Sequence, residues 1–526
     1  MYFWTSILIW YSIIQNLLII SLSKKGLTLC SPSMIKILKG ENVKELDSRF
    51  CKITKTPSLE LMENAARFVE EWFYQQHFSK DRQVLIFVGA GNNGGDGLAI
   101  ARLISQKNYP VQVVKCFAES AKLSPDAAHN LEYLPTQVKE VFLKDFESSD
   151  QNVVVIDAFL GVGLQGDLRK DALEAINQMN ELSGIKIALD IPSGMYSEGV
   201  VEDTCFMADV TISFAFPKLA LLLPENAAFT GNLIVADIGI GDQFYGEFEE
   251  DLFFLQKHDL AKLHRMFHRF SHKGDFGKIL LVGGSLGKMG AMVLASKAAL
   301  RTGAGLVTCH VEESEHQILQ VAVPEAMCNW GLIPNADYYD AVGIGPGWGV
   351  DHRKSLLERL LKDNSKPMVI DADGINILAK HPELLGQLPK NSILTPHVGE
   401  FHRLVGNAET HLIRMEKAKS FSIEHGLILI LKGANTVISF PDGKQVINSS
   451  GSQFMATGGS GDVLTGMITA FLGMGYAPEN AALCAAYHHG LAGELAGEKK
   501  RRGTIASDII QEIPETYLKL GVDSSI

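Results

Sequence analysis

A glycine-rich segment that contains a single carboxylate is the first place where this sequence could carry out chemistry. Residues 457–466 read Thr-Gly-Gly-Ser-Gly-Asp-Val-Leu-Thr-Gly. Glycines let the backbone turn tightly, so that consecutive N–H groups can converge on an anion. Asp462 cannot itself help to bind an anion, and a carboxylate in that place is better explained as a base or a cation ligand. The other interpretation is a plain strand-to-helix turn with a helix-capping Asp.

The residues after Asp462 have the spacing of an α-helix. Its apolar positions are Val463, Leu464, Met467, Ile468, Phe471 and Leu472. An anion held by the glycine-rich backbone would therefore also face the positive end of a helix dipole. The sequence thus predicts an anion site with Asp462 at its mouth.

A second glycine-rich segment lies in the first half of the chain. Val84–Val88 is continuously apolar, as is typical of a buried parallel strand, and the residues after it read Gly-Ala-Gly-Asn-Asn-Gly-Gly-Asp-Gly. The glycines match a dinucleotide-binding pattern, with a helix predicted from Leu98. However, Lys115 stands where that pattern expects an acid after the next strand. The Asn and Asp side chains could instead fix a ribose, a phosphate, an amide or a cation.

Polar residues also follow two further predicted strands of this half. Asp157 follows the apolar run 153–156, and Asp190 follows the run 185–189, with Ser193 three residues later. In an open parallel sheet the carboxyl ends of the strands line one crevice, which is where ligands bind. One such Asp could be a turn former, but several together with Ser193 favour a binding site.

The second half of the chain repeats this arrangement. Its strand and turn segments are 278–285, 340–348, 369–374, 394–400 and 428–436. Strands that alternate with helices again predict a parallel sheet. His397 could be a core histidine, but it stands on a Thr-Pro-His-Val-Gly-Glu turn at a strand end, which favours a ligand contact.

The overall composition limits the classes of protein to which this chain can belong. The chain has 526 residues, of which 46% are hydrophobic and 21% charged, with a net charge of −12. These values are those of a globular protein with two or three domains. The acidic balance argues against a general nucleic-acid binder, whose surface would be basic. The seven cysteines are scattered without a Cys-x-x-Cys pair. We therefore expect a reducing, cytoplasmic environment.

The amino-terminal residues differ from the rest. Residues 1–23 are mostly apolar, and their length would allow a membrane span. Nothing before Lys24 is charged, whereas a signal peptide would begin with basic residues. We interpret residues 1–33 as an apolar extension, either a mis-assigned start before Met34 or a weak anchor.

The halves are separated by a stretch without clear periodicity. Residues 242–251 are acidic and aromatic, which predicts a linker. The first domain then covers residues 34–245, and the second covers residues 246–526.

The first half resembles the YjeF N-terminal domain, the NAD(P)H-hydrate epimerase family, in the segments 92–97 and 157–166 and in Asp-Ile-Pro-Ser-Gly from Asp190. That family interconverts the R and S forms of nicotinamide nucleotides hydrated at C6. The resemblance implies a catalytic Asp190 that also touches the substrate, and a potassium ion on Asn93, Asp157 and Ser193. The implied substrate contacts are Asn92, Asn93, Gly94, Gly95 and Asp96 and a phosphate loop of Gly161, Val162, Gly163, Leu164, Gln165, Gly166 and Asp167. Lys218 is a secondary candidate, because Leu219 replaces the family's usual proline.

The second half resembles the ribokinase-like YjeF C-terminal domain, the ADP- or ATP-dependent NAD(P)H-hydrate dehydratase family, from about residue 270 to 510. The implied contacts to the hydrated nucleotide are Ala291, Gly347, His397 and Asp462. Those to the adenine nucleotide are Lys432, Gly433, Ala434, Asn435, Thr436 and Gly461. Asp373 and Glu400 stand where such folds often arrange Mg²⁺ and its waters.

The two resemblances together imply an α/β fold, with a Rossmann-like α/β/α sandwich before a ribokinase-like α/β/α domain. They also imply a bifunctional enzyme that epimerises hydrated NADH or NADPH and dehydrates the S form at the expense of ADP or ATP. Asp462 would deprotonate the C6 hydroxyl, which attacks the terminal phosphoryl group, and phosphate would then leave.

We expect these nucleotides as ligands, no nucleic-acid or membrane partner, and a homo-oligomer. The alternative is a ribokinase-like small-molecule kinase fused to a non-catalytic nucleotide-binding domain.

Overall fold

The computed structural model describes residues 34–147, 152–164, 166–362 and 364–522, which form two β-sheets and the helices packed on them. The predicted extension 1–33 and Gln165 lie outside the described residues. Within those ranges, no helix is long and apolar enough to span a bilayer.

The strands and helices are numbered in chain order. The strands are β1 (Ile35–Lys36), β2 (Val84–Val88), β3 (Val111–Lys115), β4 (Lys139–Phe142), β5 (Val153–Ala158), β6 (Gly184–Leu189), β7 (Val210–Phe214), β8 (Asn232–Ala236), β9 (Leu252–Leu255), β10 (Lys278–Val282), β11 (Leu306–His310), β12 (Met327–Asn329), β13 (Ala341–Ile344), β14 (Met368–Ile370), β15 (Ile393–Leu394), β16 (Ile428–Leu431), β17 (Val437–Ser439) and β18 (Gln445–Asn448). The helices are α1 (Gly40–Thr54), α2 (Ser58–Gln75), α3 (Asn92–Ser105), α4 (Pro125–Glu132), α5 (Lys170–Glu181), α6 (Ala227–Thr230), α7 (Lys257–Leu263), α8 (Met289–Thr302), α9 (His316–Ala322), α10 (Lys354–Lys362), α11 (Ala372–Lys380), α12 (Val398–Val405), α13 (His411–His425), α14 (Ser460–Gly473), α15 (Pro478–Lys500) and α16 (Ala506–Leu520).

The first unit is built on a seven-stranded sheet in the order β4-β3-β2-β5-β6-β7-β8. Its strands are all parallel, as predicted for this half. Alternate residues of β2 pack into two different apolar clusters, so both faces of the sheet are covered. The strand order reverses between β2 and β5, and the loops after these strands therefore open a crevice.

The second unit is built on an eleven-stranded sheet. Its parallel part runs β12-β11-β10-β13-β14-β15-β16, as predicted, and its order reverses between β10 and β13. Antiparallel β17 and β18 follow, and the sheet ends with β9 and β1. Strand β1 belongs to the range predicted as the first domain but pairs with β9, so the chain enters the second sheet before it builds the first.

Two helices begin earlier than the sequence pattern predicted. Helix α3 begins at Asn92 rather than Leu98, and α14 begins at Ser460 rather than Val463. A glycine costs about 1 kcal/mol in a helix interior, so propensity argues against helix in these segments. Tertiary packing nevertheless favours a helix here, and the packing is so close that only glycine fits. A Cβ on Gly94 would lie 1.9 Å from a backbone carbonyl oxygen of the preceding loop. Both glycine-rich segments therefore present their polar side chains from a first helical turn.

The position of Asp462 depends on a close contact between α14 and α8. A Cβ on Gly466 would lie 2.1 Å from the carbonyl oxygen of Ala295 in α8. Gly466 follows Asp462 by about one helical turn. The contact therefore fixes where the Asp462 carboxylate stands relative to the second sheet.

Gly466→Ala is expected to destabilise the second unit by about 1–3 kcal/mol, because the added methyl overpacks a rigid backbone contact. Gly290→Ala in the first turn of α8 is the matched control, since a Cβ there meets nothing within 4 Å. Urea unfolding followed by far-ultraviolet circular dichroism measures both variants. Equal unfolding midpoints for the two would contradict the proposed close packing.

Candidate active sites

Asp157 is the centre of the polar contacts near the end of β5. Its carboxylate is fully buried and accepts hydrogen bonds from the Ser193 N–H at 2.7 Å, the Ser193 hydroxyl at 2.6 Å and the Phe159 N–H at 3.1 Å. Burial raises the pKa of Asp157 to about 6, although these donors oppose the rise. The bonds join the loop after β5 to the loop after β6.

Leu160 brings Asn93 beside this group. The Leu160 carbonyl accepts from Nδ2 of Asn93 at 2.9 Å, and the Leu160 N–H donates to the Ser193 hydroxyl at 2.8 Å. Oδ1 of Asn93 is buried without a hydrogen-bond partner among the described residues. A buried oxygen without a donor is costly, and oxygen is the ligand that hard cations take. The structure thus assembles the three predicted cation ligands with one oxygen still to be satisfied.

The predicted phosphate loop follows directly. Its described members are Gly161, Val162, Gly163, Leu164, Gly166 and Asp167, of which Gly163, Gly166 and Asp167 are exposed. The Tyr196 hydroxyl donates to the Gly166 carbonyl at 2.8 Å. A Cβ on Gly163 would lie 3.6 Å from the Lys44 ammonium, so α1 supplies a cation near this loop.

Asp190 stands after β6 in a strained conformation. Its φ is 63°, in the left-handed region that non-glycine residues seldom adopt. The Lys218 ammonium, which is 1% exposed, donates to the Asp190 carboxylate, and it also donates to the Ser213 hydroxyl at 3.2 Å and the Phe214 carbonyl at 3.1 Å. Lys218, only a secondary candidate from the sequence, is therefore the direct partner of the predicted catalytic acid.

Two further carboxylates lie in the electrostatic field of this pair. Burial and then the charge on Asp190 raise the pKa of Asp96 well above its usual range. Burial raises the pKa of Asp47 to about 6, against the opposing effect of Lys218. Sequence reasoning missed Asp47, because it lies within α1 and not at a strand end. The other predicted contacts on α3 are the exposed Asn92 and the buried Gly94 and Gly95.

The second crevice is organised by Asp371, which follows β14. Its carboxylate accepts hydrogen bonds from the Lys432 ammonium at 2.8 Å and from the Thr465 hydroxyl at 2.6 Å. A Cβ on Gly461 would lie 3.2 Å from the Lys432 ammonium and 3.8 Å from the Asp371 carboxylate. The structure therefore brings Lys432 and Gly461, both predicted nucleotide contacts, together at the start of α14. Asp371 was not predicted as a site residue, although it too follows an apolar strand.

Asp462 lies in the first turn of α14. The amino-terminal cap of this helix is Gly459, so Asp462 is not its capping residue. Burial, followed by the charge on Asp371, raises the pKa of Asp462 to about 7; Lys432 opposes this rise, whereas Glu400 and Asp373 add to it. A carboxylate with this pKa can exchange a proton near neutral pH.

His397 faces outward at the amino terminus of α12. Its side chain is 56% exposed, so the alternative of a core histidine is wrong. Nδ1 accepts from the Gly399 N–H at 3.0 Å, and the His397 N–H donates to the Glu400 carboxylate at 2.9 Å. A backbone bridge between His397 and Lys432 places these predicted substrate and nucleotide contacts side by side.

The other predicted contacts lie on two loops and in the first turn of α8. A Cβ on Gly347, whose φ is 60°, would lie 3.2 Å from the Ala291 methyl, so these two positions are adjacent near the point where the strand order reverses. After Lys432, Gly433 and Ala434 are exposed. Thr436 donates to the Gly433 carbonyl at 3.2 Å. The Asn435 side chain instead donates to the Leu222 carbonyl of the first unit at 2.8 Å.

Comparison with known protein families gives two matches along the chain. A family model described as the YjeF-related protein N-terminus matches residues 58–220. A family model described as NAD(P)H-hydrate dehydratase matches residues 279–515. The two matched ranges fall on the first and the second unit, respectively.

Several curated proteins are similar over most of the chain. The bifunctional NAD(P)H-hydrate repair enzyme Nnr of Moorella thermoacetica is 36% identical over 489 residues, which cover 87% of this chain and 92% of that protein. The Escherichia coli protein of the same name is 34% identical over 442 residues, covering 82% and 84%. Among solved structures, the Bacillus subtilis ADP/ATP-dependent NAD(P)H-hydrate dehydratase co-crystallised with ATP/Mg²⁺ is 30% identical, with a TM-score of 0.46, and covers 51% of this chain and 98% of that one.

Lys218→Met is expected to destabilise the first unit by about 3–5 kcal/mol, because it removes one partner of a buried ion pair and leaves Asp190 without its cation. The matched control is Lys144→Met, whose ion pair with Glu119 is two-thirds exposed on both sides and whose loss should leave the unfolding temperature unchanged. Scanning calorimetry measures both variants. Similar unfolding temperatures of the two variants would show that the Lys218–Asp190 ion pair does not stabilise the first unit as expected.

Proposed function

Because the chain belongs to the bifunctional NAD(P)H-hydrate repair enzymes, we propose that its two crevices catalyse two linked steps in the repair of hydrated NAD(P)H. The enzyme combines an epimerase unit with an ADP/ATP-dependent dehydratase unit. The first crevice interconverts the R and S hydrates, and the second dehydrates the S form. The observation that carries the second assignment is Asp462, a carboxylate with a pKa of about 7 beside Lys432 and the glycine-rich start of α14.

The division between the two activities follows the two sheets. We assign residues 34–245 to the epimerase domain and residues 246–526 to the dehydratase domain. The two separate sheets support this division. The short strand β1 is the exception, because it ties the beginning of the epimerase domain to the dehydratase sheet.

In the first crevice, Asp190 is the proposed acid and base. Epimerisation at C6 requires ring opening, or loss and return of water, and one group that takes up and returns a proton serves either route. Lys218 holds the Asp190 carboxylate in place. The loop after β5 would bind the phosphates of the substrate, and the polar side chains of α3 would contact its nucleotide. A potassium ion, which fits the buried oxygen of Asn93, would be held by Asn93, Asp157 and Ser193 and would offset negative charge.

In the second crevice, Asp462 is the proposed base. It takes the proton of the C6 hydroxyl, whose oxygen then attacks the terminal phosphoryl group of ADP or ATP and displaces AMP or ADP, respectively. Lys432 and the backbone at Gly461 lie where they can stabilise the charge that develops on that group. The phosphorylated oxygen leaves as phosphate, helped by the lone pair of the ring nitrogen, and loss of a proton from C5 then restores the double bond of the reduced nicotinamide. Phosphate is a better leaving group than hydroxide, which is why a nucleotide is consumed.

The carboxylates near this site fit a magnesium ion that arrives on the nucleotide. Asp373 accepts from the Gly349 N–H at 2.7 Å, and Glu400 accepts from the His397 N–H at 2.9 Å. Among the described residues, no three His, Cys, Asp or Glu side chains cluster as a metal site. Mg²⁺ commonly keeps its waters and binds through substrate phosphates, so Asp373 and Glu400 would contact its waters.

We further propose that the protein works in the cytoplasm as a homo-oligomer. The cysteines of the described residues are all free thiols, which suits a reducing compartment. The alternative of a kinase fused to a non-catalytic domain differs in its product, because a kinase would leave the phosphoryl group on the substrate. Mass analysis of the nicotinamide product separates the two.

Asp462→Asn is expected to lower dehydratase kcat by about 10²–10⁴-fold, because the variant cannot accept the C6 hydroxyl proton. In the native enzyme, kcat/KM should level off above about pH 7 and fall about tenfold per pH unit below it, since Asp462 is then protonated. Recovery of reduced-nicotinamide absorbance from the S hydrate with ADP or ATP measures both. A variant as active as the native enzyme would refute the role of Asp462.

Asp190→Asn is expected to slow interconversion of the R and S hydrates by at least about 10²-fold, because the acid/base is lost. Asn tolerates the left-handed backbone of this position better than Ala does, so the loop should keep its shape. Chromatographic separation of the epimers gives the rate, and dehydratase activity on the S form serves as the internal control. An unchanged interconversion rate would remove Asp190 from the mechanism.

A further inference from the structure

Asp371 is a buried carboxylate at the second crevice whose role none of the motifs assigns. It lies directly after β14 and is 1% exposed. Burial alone would raise the pKa of Asp371, but the Lys432 ammonium and the Thr465 hydroxyl hold it below its usual value. The carboxylate is therefore ionised at neutral pH and forms an ion pair with Lys432.

The two oxygens of this carboxylate bind two different elements. Oδ1 accepts from the Lys432 ammonium at 2.8 Å, and Oδ2 accepts from the Thr465 hydroxyl at 2.6 Å. Lys432 follows β16, whereas Thr465 belongs to α14 and follows Asp462 by three residues. Asp371 therefore links the end of β16 to the first turns of α14.

The Lys432 side chain, held by Asp371, extends into the second crevice. It is 20% exposed, and its ammonium lies near the start of α14, 3.2 Å from where a Cβ on Gly461 would stand. The Glu400 carboxylate, which also faces this ammonium, is 3.9 Å away, too far for a hydrogen bond. A lysine carries its charge on a flexible four-carbon stem, so without a partner the ammonium would sample many positions.

We propose that Asp371 is the positioning residue of the dehydratase, which holds the Lys432 ammonium against the amino end of α14 so that it meets the terminal phosphoryl group of the nucleotide. This inference rests on the proposed binding of ADP or ATP at Lys432. Asp371 itself touches neither substrate. Its effect on nucleotide binding is transmitted through one ammonium group, and Thr465 fixes the carboxylate in turn.

A double-mutant cycle in the full-length enzyme tests this transmission. Lys432→Met and Asp371→Asn should each weaken ADP and ATP binding about tenfold or more, since each removes or releases one charge-assisted contact to phosphate. In the Lys432→Met background, the further change Asp371→Asn should alter the dissociation constant by less than about twofold. Isothermal titration with each nucleotide gives the constants without turnover, and KM and kcat are measured in parallel.

Two further variants separate positioning from loss of fold. Asp340→Asn removes a carboxylate of the same unit that accepts from the Lys278 N–H at the amino end of β13, opposite the crevice, and it should leave nucleotide affinity within about twofold of native. Thr465→Val keeps the ion pair but frees the carboxylate, so it should weaken binding in the same direction by a smaller factor. It replaces Asp371→Asn in the cycle if that variant does not fold.

The outcomes distinguish the inference from the function on which it rests. If Lys432→Met binds nucleotide as tightly as the native enzyme, the proposed nucleotide contact is wrong. If Lys432→Met weakens binding but Asp371→Asn does not, the positioning role of Asp371 is overturned. Equal effects of Asp371→Asn in both backgrounds would also overturn it, because the effect would then not pass through Lys432.

Discussion

Each crevice depends on one carboxylate that is buried at the carboxyl end of a parallel strand. Asp157 is 0% exposed and Asp371 is 1% exposed. A buried carboxylate without donors costs several kcal/mol, so other elements must bring donors to it. Ser193 does this in the first crevice, and Lys432 and Thr465 do it in the second. These hydrogen bonds offset the cost of burying Asp157 and Asp371. The same bonds hold together the strand ends that carry the predicted ligand contacts.

The second crevice also separates two carboxylates by their proton affinity. The pKa of Asp371 lies below its usual value, because the Lys432 ammonium and the Thr465 hydroxyl outweigh the effect of burial. The pKa of Asp462 rises to about 7, because burial and the charge on Asp371 are only partly opposed by Lys432. Two neighbouring carboxyl groups whose environments separate their pKa values in this way can serve different chemical roles. Asp371 keeps a fixed charge, whereas Asp462 is able to take up a proton.

The two units are joined through strand β1 and through the segment that follows Lys218. Strand β1 pairs with β9 in the second sheet. Leu222 is buried in an apolar cluster of the second unit, and its carbonyl accepts from Asn435 in the predicted nucleotide loop. Glu225 accepts from the His411 N–H at 2.7 Å, and Arg414 pairs with the same carboxylate. The segment that contains Leu222 begins directly after Lys218. A single short stretch of chain therefore runs from the Asp190–Lys218 ion pair to the contact with Asn435.

The sequence by itself determined the α/β class, half of the described strands, the parallel arrangement of those strands and the segments that carry polar residues, because apolar runs and glycine-rich strand ends are local patterns. It could not locate the helix starts at Asn92 and Ser460, where glycines required by close packing lower the local propensity. Only the tertiary structure decided which groups surround Asp371. Its partners Lys432 and Thr465 lie 61 and 94 positions away along the chain, and no local pattern encodes contacts that the folded sheet brings together.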